Sequence, residues 1–152
     1  MRFLFNILPL LVTSSLAASA QSVKPLIDSQ NYVYQAQIAE PLHGPIRHLT
    51  TIFTLQITKD KIVSNLPYFG RAYIAPIDPT QGGLQFTTTK FDYTLTAGKK
   101  DGWIVVIKPK DNRDIQQMQL NISSDGYASL QVLSTNRDPI TFNGIITAPD
   151  KP

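Results

Sequence analysis

The chain has 152 residues, with 14 Lys and Arg against 11 Asp and Glu, a formal net charge of +3 and no cysteine. Without thiols it forms no disulfide, no thiolate metal site, no cysteine nucleophile and no lipid anchor of the bacterial cysteine type. Its basic residues are scattered, and the nearest approaches to clusters, Lys99-Lys100 and Lys108/Lys110, sit beside Asp101 and Asp111; a nucleic-acid partner would need a stripe of Lys and Arg, so that class is excluded.

Residues 1–20 read as a cleaved secretion signal. Arg2 supplies the positive start, Phe3 to Val12 is apolar apart from Asn6 and Pro9, and Ala18-Ser19-Ala20 offers the small residues that a signal peptidase reads before Gln21. The run is far shorter than the roughly 20 residues that span a bilayer. The expected location is the periplasm or the secreted medium, with no transmembrane segment in the mature chain. Residues 21–152 are the size of a single domain, long enough for one real core. Glu40 is the only glutamate; the remaining acids are Asp, a turn former, which favours strands and loops over helices.

In chain order, Val23 to Ile27 can make one short helical turn, with Pro25 at its start. From Asn31 onward the apolar residues alternate with polar ones, the period of half-buried strands. Tyr32, Tyr34, Ala36 and Ile38 form the first such run, followed by Phe53, Leu55 and Ile57. Leu84 and Phe86 come after Gly82-Gly83, then Phe91, Tyr93 and Leu95, then Trp103, Val105 and Ile107. Met118, Leu120 and Ile122, Leu130 and Val132, and Ile140 and Phe142 complete the pattern. The stretch from Lys110 to Gln117 reads as an exposed loop before the Met118 strand, with a helical turn capped by Asp111 as the other reading. Eight or nine short strands with no crossover helix predict an all-β antiparallel sandwich or open barrel, with a short N-terminal helical turn.

Parity predicts the register. Leu120 and Ile122 share a face with Leu130 and Val132 only if the loop between them has an odd length. A three-residue loop, Ser124-Asp125-Gly126, pairs Leu120 with Leu130 and Ile122 with Ala128, and puts Gly126 in the left-handed position with positive φ. The same rule sets Leu95 against Val105 or Trp103 across Gly98 to Gly102. It also sets Phe142 beside Leu130 across Thr135 to Pro139.

Candidate sites are few. Tyr68-Phe69-Gly70-Arg71-Ala72-Tyr73 is the densest aromatic and basic cluster. Tyr68, Arg71 and Tyr73 could stack on a sugar or clamp a carboxylate; equally, Leu66, Phe69 and one tyrosine could fill the core with Arg71 over an aromatic face. His43 and His48 flank Gly44-Pro45, but no further ligand lies at a recognisable spacing, so no metal is expected. Trp103 reads as a core plug, and Asn136-Arg137-Asp138-Pro139 as a turn whose Arg137 and Asp138 make a surface ion pair. There is no G-x-S-x-G, no zinc-protease motif, no phosphate loop and no dinucleotide fingerprint. The aspartates sit in turn contexts, poor places to tune the carboxyl pair of a glycosidase. No catalytic residue and no cofactor are expected.

The strings Ser64-Asn65-Leu66-Pro67-Tyr68-Phe69-Gly70-Arg71-Ala72-Tyr73, Gly82-Gly83-Leu84-Gln85-Phe86, Phe91-Asp92-Tyr93, Trp103 to Asp111, Gly126-Tyr127-Ala128-Ser129-Leu130 and Ile140-Thr141-Phe142-Asn143-Gly144 follow one another in order. Together, over about Val23 to Ile146, they resemble a secreted family of bacteroidete bacteria, domain of unknown function 4251. The resemblance implies a periplasmic or cell-surface β domain. Many members look like lipoproteins, and this chain departs from them in lacking the lipid-bearing cysteine. The family carries no accepted activity, so it transfers no catalytic residue. The expected function is therefore a non-catalytic envelope protein that binds an unknown ligand or an envelope protein through a β surface, with Tyr68, Arg71 and Tyr73 as the contact. A small periplasmic hydrolase and a structural subunit of an envelope assembly are the rival readings.

Overall fold

Alternating apolar residues set the architecture. The computed structural model describes residues 22–73 and 83–151, so residues 1–20, expected from the sequence to be a signal, lie outside the described residues. Nine antiparallel strands form one sheet: β1 (Tyr32–Pro41), β2 (Arg47–Ile57), β3 (Ile62–Leu66), β4 (Leu84–Thr88), β5 (Phe91–Ala97), β6 (Trp103–Pro109), β7 (Ile115–Ile122), β8 (Tyr127–Ser134) and β9 (Ile140–Thr147). One short helix, α1 (Val23–Asp28), precedes them. Among the described residues, no helix is long and apolar enough to cross a membrane.

The strand order is β4-β3-β2-β1-β9-β8-β7-β6-β5. Neighbours alternate in direction, so the two outermost of nine strands, β4 and β5, run the same way. Only Thr89 and Lys90 separate them. Side-by-side parallel strands need a crossover of about a dozen residues or more, and two residues reach at most about 7 Å. Hence β5 continues β4 end to end, bent at Thr89-Lys90. The β4 half of this continuous strand pairs with β3 and the β5 half with β6. A strand shared in this way rolls the sheet into a nearly closed barrel. The chain beyond β6 fastens the seam: the Asp111 carboxylate accepts from the Thr88 hydroxyl and from the Thr89 N–H at 3.1 Å. The Lys110 N–H donates to the Lys90 carbonyl at 2.7 Å.

The inward faces form one core, including Leu55, Ile57, Val105, Ile107, Leu120, Leu130 and Phe142. Val23 and Ile27 of α1 join it, and the helix packs onto the β7–β8 turn, where a Cβ on Gly126 would meet Val23 Cγ2 at 3.1 Å. The Tyr32 and Tyr93 hydroxyls bond across the interior at 2.9 Å.

The expected register holds. Leu120 pairs with Leu130, Ile122 with Ala128, Leu95 with Val105 and Leu130 with Phe142. Gly126 has φ 94°, the left-handed position that closes the three-residue loop. Asp111 to Asp114 is irregular, as the loop reading requires, although β7 starts at Ile115, ahead of Met118. The alternation of β1 breaks after Ala36: a bulge shifts the register between Ala36 and Ile38, so Ala39 is buried where parity alone would bury Ile38.

Candidate functional site

Beyond β3 the chain carries Tyr68 to Tyr73 onto the loop between β8 and β9. The Tyr68 hydroxyl donates to the Arg71 carbonyl at 2.8 Å and lies 3.1 Å from the Asp138 carbonyl. Main-chain bonds dock the segment: Asp138 N–H to the Arg71 carbonyl at 2.9 Å, and Tyr73 N–H to the Asn136 carbonyl at 2.6 Å. Ala72 and Arg137 form a β-bridge.

Asp138 is the hub of this arrangement. Although charged, it is only 4% exposed. Its carboxylate accepts from the Tyr73 hydroxyl, and His43 Nδ1 lies 3.2 Å from its other oxygen. A carboxylate can only accept, so the His43 nitrogen donates. The Tyr73 hydrogen bond above all, then that of His43, keeps the Asp138 carboxyl below its ordinary pKa against the cost of desolvation. The same bond raises the Tyr73 phenol, whose neutral form is the donor. The Tyr68 phenol is also raised, by burial first and by the Asp138 charge second.

The structure therefore brings Tyr68, Arg71 and Tyr73 together on one support. Tyr73 is 69% exposed and Arg71 is exposed beside it. Arg47 lies over the Phe69 ring, 4.8 Å from its centroid, adding a second cation to this end of the barrel. Arg137 does not pair with Asp138. It lies 5.0 Å from the centroid of the Tyr68 ring, reaches Asp114 at 3.5 Å and donates to the Gly83 carbonyl at 3.1 Å. The expected surface pair fails because adjacent residues on this loop point apart, Asp138 inward to Tyr73 and Arg137 towards Asp114. Asp138 and His43 stand 95 residues apart in the chain, and Asp138 and Tyr73 stand 65 apart; no spacing rule links them. Among the described residues, no three His, Cys, Asp or Glu side chains are grouped to hold a metal.

A different surface carries the cavities. One, of about 690 Å³, spans the outer side of β6 to β9 and the bulged part of β1, and includes Trp103, Tyr127, Asn121 and Asn143. Another, of about 700 Å³, adjoins it, shares Gly98 and Trp103, and reaches Leu95 and Lys24. Tyr68, Arg71 and Tyr73 line neither. Trp103 is half-buried, packs against the core and also forms part of both cavity walls.

Fold and site together define an all-β, barrel-like protein with a polar cluster at one end and an open depression on its side. The chain belongs to the family described as Domain of unknown function (DUF4251), whose model matches residues 15–146. It is similar in fold to the crystal structure of a DUF4251 family protein from Bacteroides eggerthii DSM 20697, with a TM-score of 0.59 and 14% sequence identity, over 87% of this chain and 89% of that one. No curated protein matches it.

Proposed function

We propose that this is a secreted, non-catalytic protein of the bacterial envelope that binds a carboxylate-bearing ligand or partner at the Tyr68–Tyr73 end of its barrel. The observation that carries the reading is the mounting of Arg71 and Tyr73. The Tyr73 hydroxyl stands on the buried, ionised Asp138 and the Arg71 main chain is docked to Asp138 N–H, so the segment that presents both groups is fixed before any ligand arrives. A guanidinium beside an aromatic face suits a carboxylate, which it can grip through two parallel hydrogen bonds. Arg47 over Phe69 adds to the cationic character of this end. The same geometry speaks for binding over catalysis. A carboxyl with a lowered pKa is a weak base and is already ionised, while tyrosines with raised pKa values stay protonated and serve as donors.

The test compares a short peptide with a free C-terminal carboxylate and the same peptide amidated, titrated into wild type and Arg71→Ala. Charged hydrogen bonds contribute about 1.5–3 kcal/mol, so the free acid should bind wild type roughly ten- to a hundredfold more tightly than it binds the variant. Equal affinity for the two proteins would remove Arg71 from the site.

A further inference from the structure

We propose that the outer face of β6 to β9 holds a second site, independent of the first, for an uncharged oligosaccharide. Ile104, Asn121, Ser129 and Asn143 stand in register across the four strands: Ile104 opposite Asn121, Asn121 opposite Ser129, and Ser129 opposite Asn143. Tyr127, two residues before Ser129 on the same strand, shares that face and is 64% exposed. All of these line the cavity of about 690 Å³, a volume within the roughly 300–1,000 Å³ of small-ligand sites.

The chemistry of the lining selects the ligand. Asn, Gln and Ser side chains each donate and accept, as every sugar hydroxyl does. Two of the amides are already oriented by neighbours. Asn143 Nδ2 donates to Glu40 at 2.7 Å, leaving its Oδ1 as an acceptor. Asn121 Oδ1 accepts from Gln119 at 3.3 Å, leaving its N–H groups as donors. Gln37, Ser129 and Tyr127 make no side-chain hydrogen bond to another described residue and keep their full capacity for a ligand. Lys99 is the one charged residue in this lining, and the adjoining one carries Lys24, paired with Asp28, and Asp101, so the charges are isolated and mixed rather than the cluster of cations a polyanion needs. The Tyr127 ring offers a flat face with negative π density, against which the C–H face of a pyranose stacks. The adjoining cavity of about 700 Å³ shares Trp103 and Gly98 with the first.

Trp103 is the only tryptophan in the chain and stands where the two cavities meet, so its fluorescence reports on occupancy directly. The protein is titrated with cellotetraose, maltotetraose, N-acetylglucosamine tetramer and, as a charged control, galacturonic acid tetramer. At least one neutral tetramer should shift the Trp103 emission saturably, with an affinity that salt leaves unchanged. Tyr127→Ala should weaken that binding by roughly three- to tenfold, the value of one aromatic contact, and Asn121→Ala should weaken it as well. Gln131→Ala, four residues along β8 from Tyr127 and outside the cavity lining, should bind as wild type does. Tyr127 is a surface residue, and matching thermal unfolding of wild type and Tyr127→Ala excludes misfolding as the cause of any loss. Failure of all three neutral tetramers, binding of the galacturonate alone, or undiminished affinity in Tyr127→Ala overturns the proposal.

Discussion

Tyr34 carries a phenolic hydroxyl into the barrel interior, fully buried, where it finds no hydrogen-bond partner among the described residues. Burial alone drives its pKa up, since the phenolate would be stranded in an apolar surrounding. A buried polar group without a partner costs about 1–3 kcal/mol. Tyr34→Phe keeps the ring and removes that cost, so it should be neutral or raise stability by up to about 1 kcal/mol. Tyr32 sits two residues away and behaves in the opposite sense. Its hydroxyl bonds to Tyr93, and Tyr32→Phe would leave the Tyr93 oxygen unpaired, at a loss of about 1 kcal/mol. Urea unfolding of the two variants checks both signs at once. From the sequence the two tyrosines look the same, both on the inward parity of one strand; only the neighbour across the interior separates them.

Among elements, β1 against β9 is the most demanding contact. Gly144 faces Ala36 beside the β1 bulge, and a Cβ there would stand 2.0 Å from the Gln35 carbonyl oxygen. The obstacle is backbone, which cannot swing aside. Gly144→Ala should therefore cost about 1–3 kcal/mol, read as a lowered denaturant midpoint. A stability equal to wild type would mean that the two strands can separate there without loss. Hairpin geometry was legible in the sequence, because Leu120, Ile122, Leu130 and Val132 admit a common face only through an odd loop, and Gly126 supplies the residue that such a loop needs. The bulge was not. It shifts burial from Ile38 to Ala39, and no glycine or proline between Ala36 and Ile38 signals it. The register shifts there against both β2 and β9, the latter 100 and more residues away in the chain.

For the molecule as a whole, alternation specifies which side chains face inward but not which strands are neighbours, so a sandwich and an open barrel were equally compatible with it. The polar cluster was half legible for the same reason. Tyr68, Arg71 and Tyr73 are contiguous and visible, whereas Asp138, which holds them, arrives from a loop that looks like an ordinary surface turn. Acid stability tests the carboxylate hydrogen bonds of the molecule together. Asp138, Asp111 and Asp125 all have carboxyl pKa values below the ordinary one, each chiefly through a side-chain hydrogen bond, from Tyr73, Thr88 and Ser123 respectively. Below the unfolded value of about 3.9 the unfolded chain therefore binds more protons than the folded one. The contribution of these groups is fully present above that pH and disappears as the pH falls through their lower folded values. Denaturation midpoints followed from neutral pH into acid should decline through that window, and Asp111→Asn, which weakens the seam, should flatten the decline. A midpoint unchanged down to strong acid would contradict the assignment.

Seven of the eight strand pairings join sequence neighbours, and only β1 with β9 reaches across the chain, setting Val33 opposite Thr147. The barrel is thus a ring of hairpins with one missing link, placed where the first and last strands lie side by side. Tethering those strands and reopening the ring at an exposed turn such as Ser124-Asp125 would yield a circular permutant. In it β1 and β9 become a local pair, and the entropy of drawing distant ends together moves to the new opening.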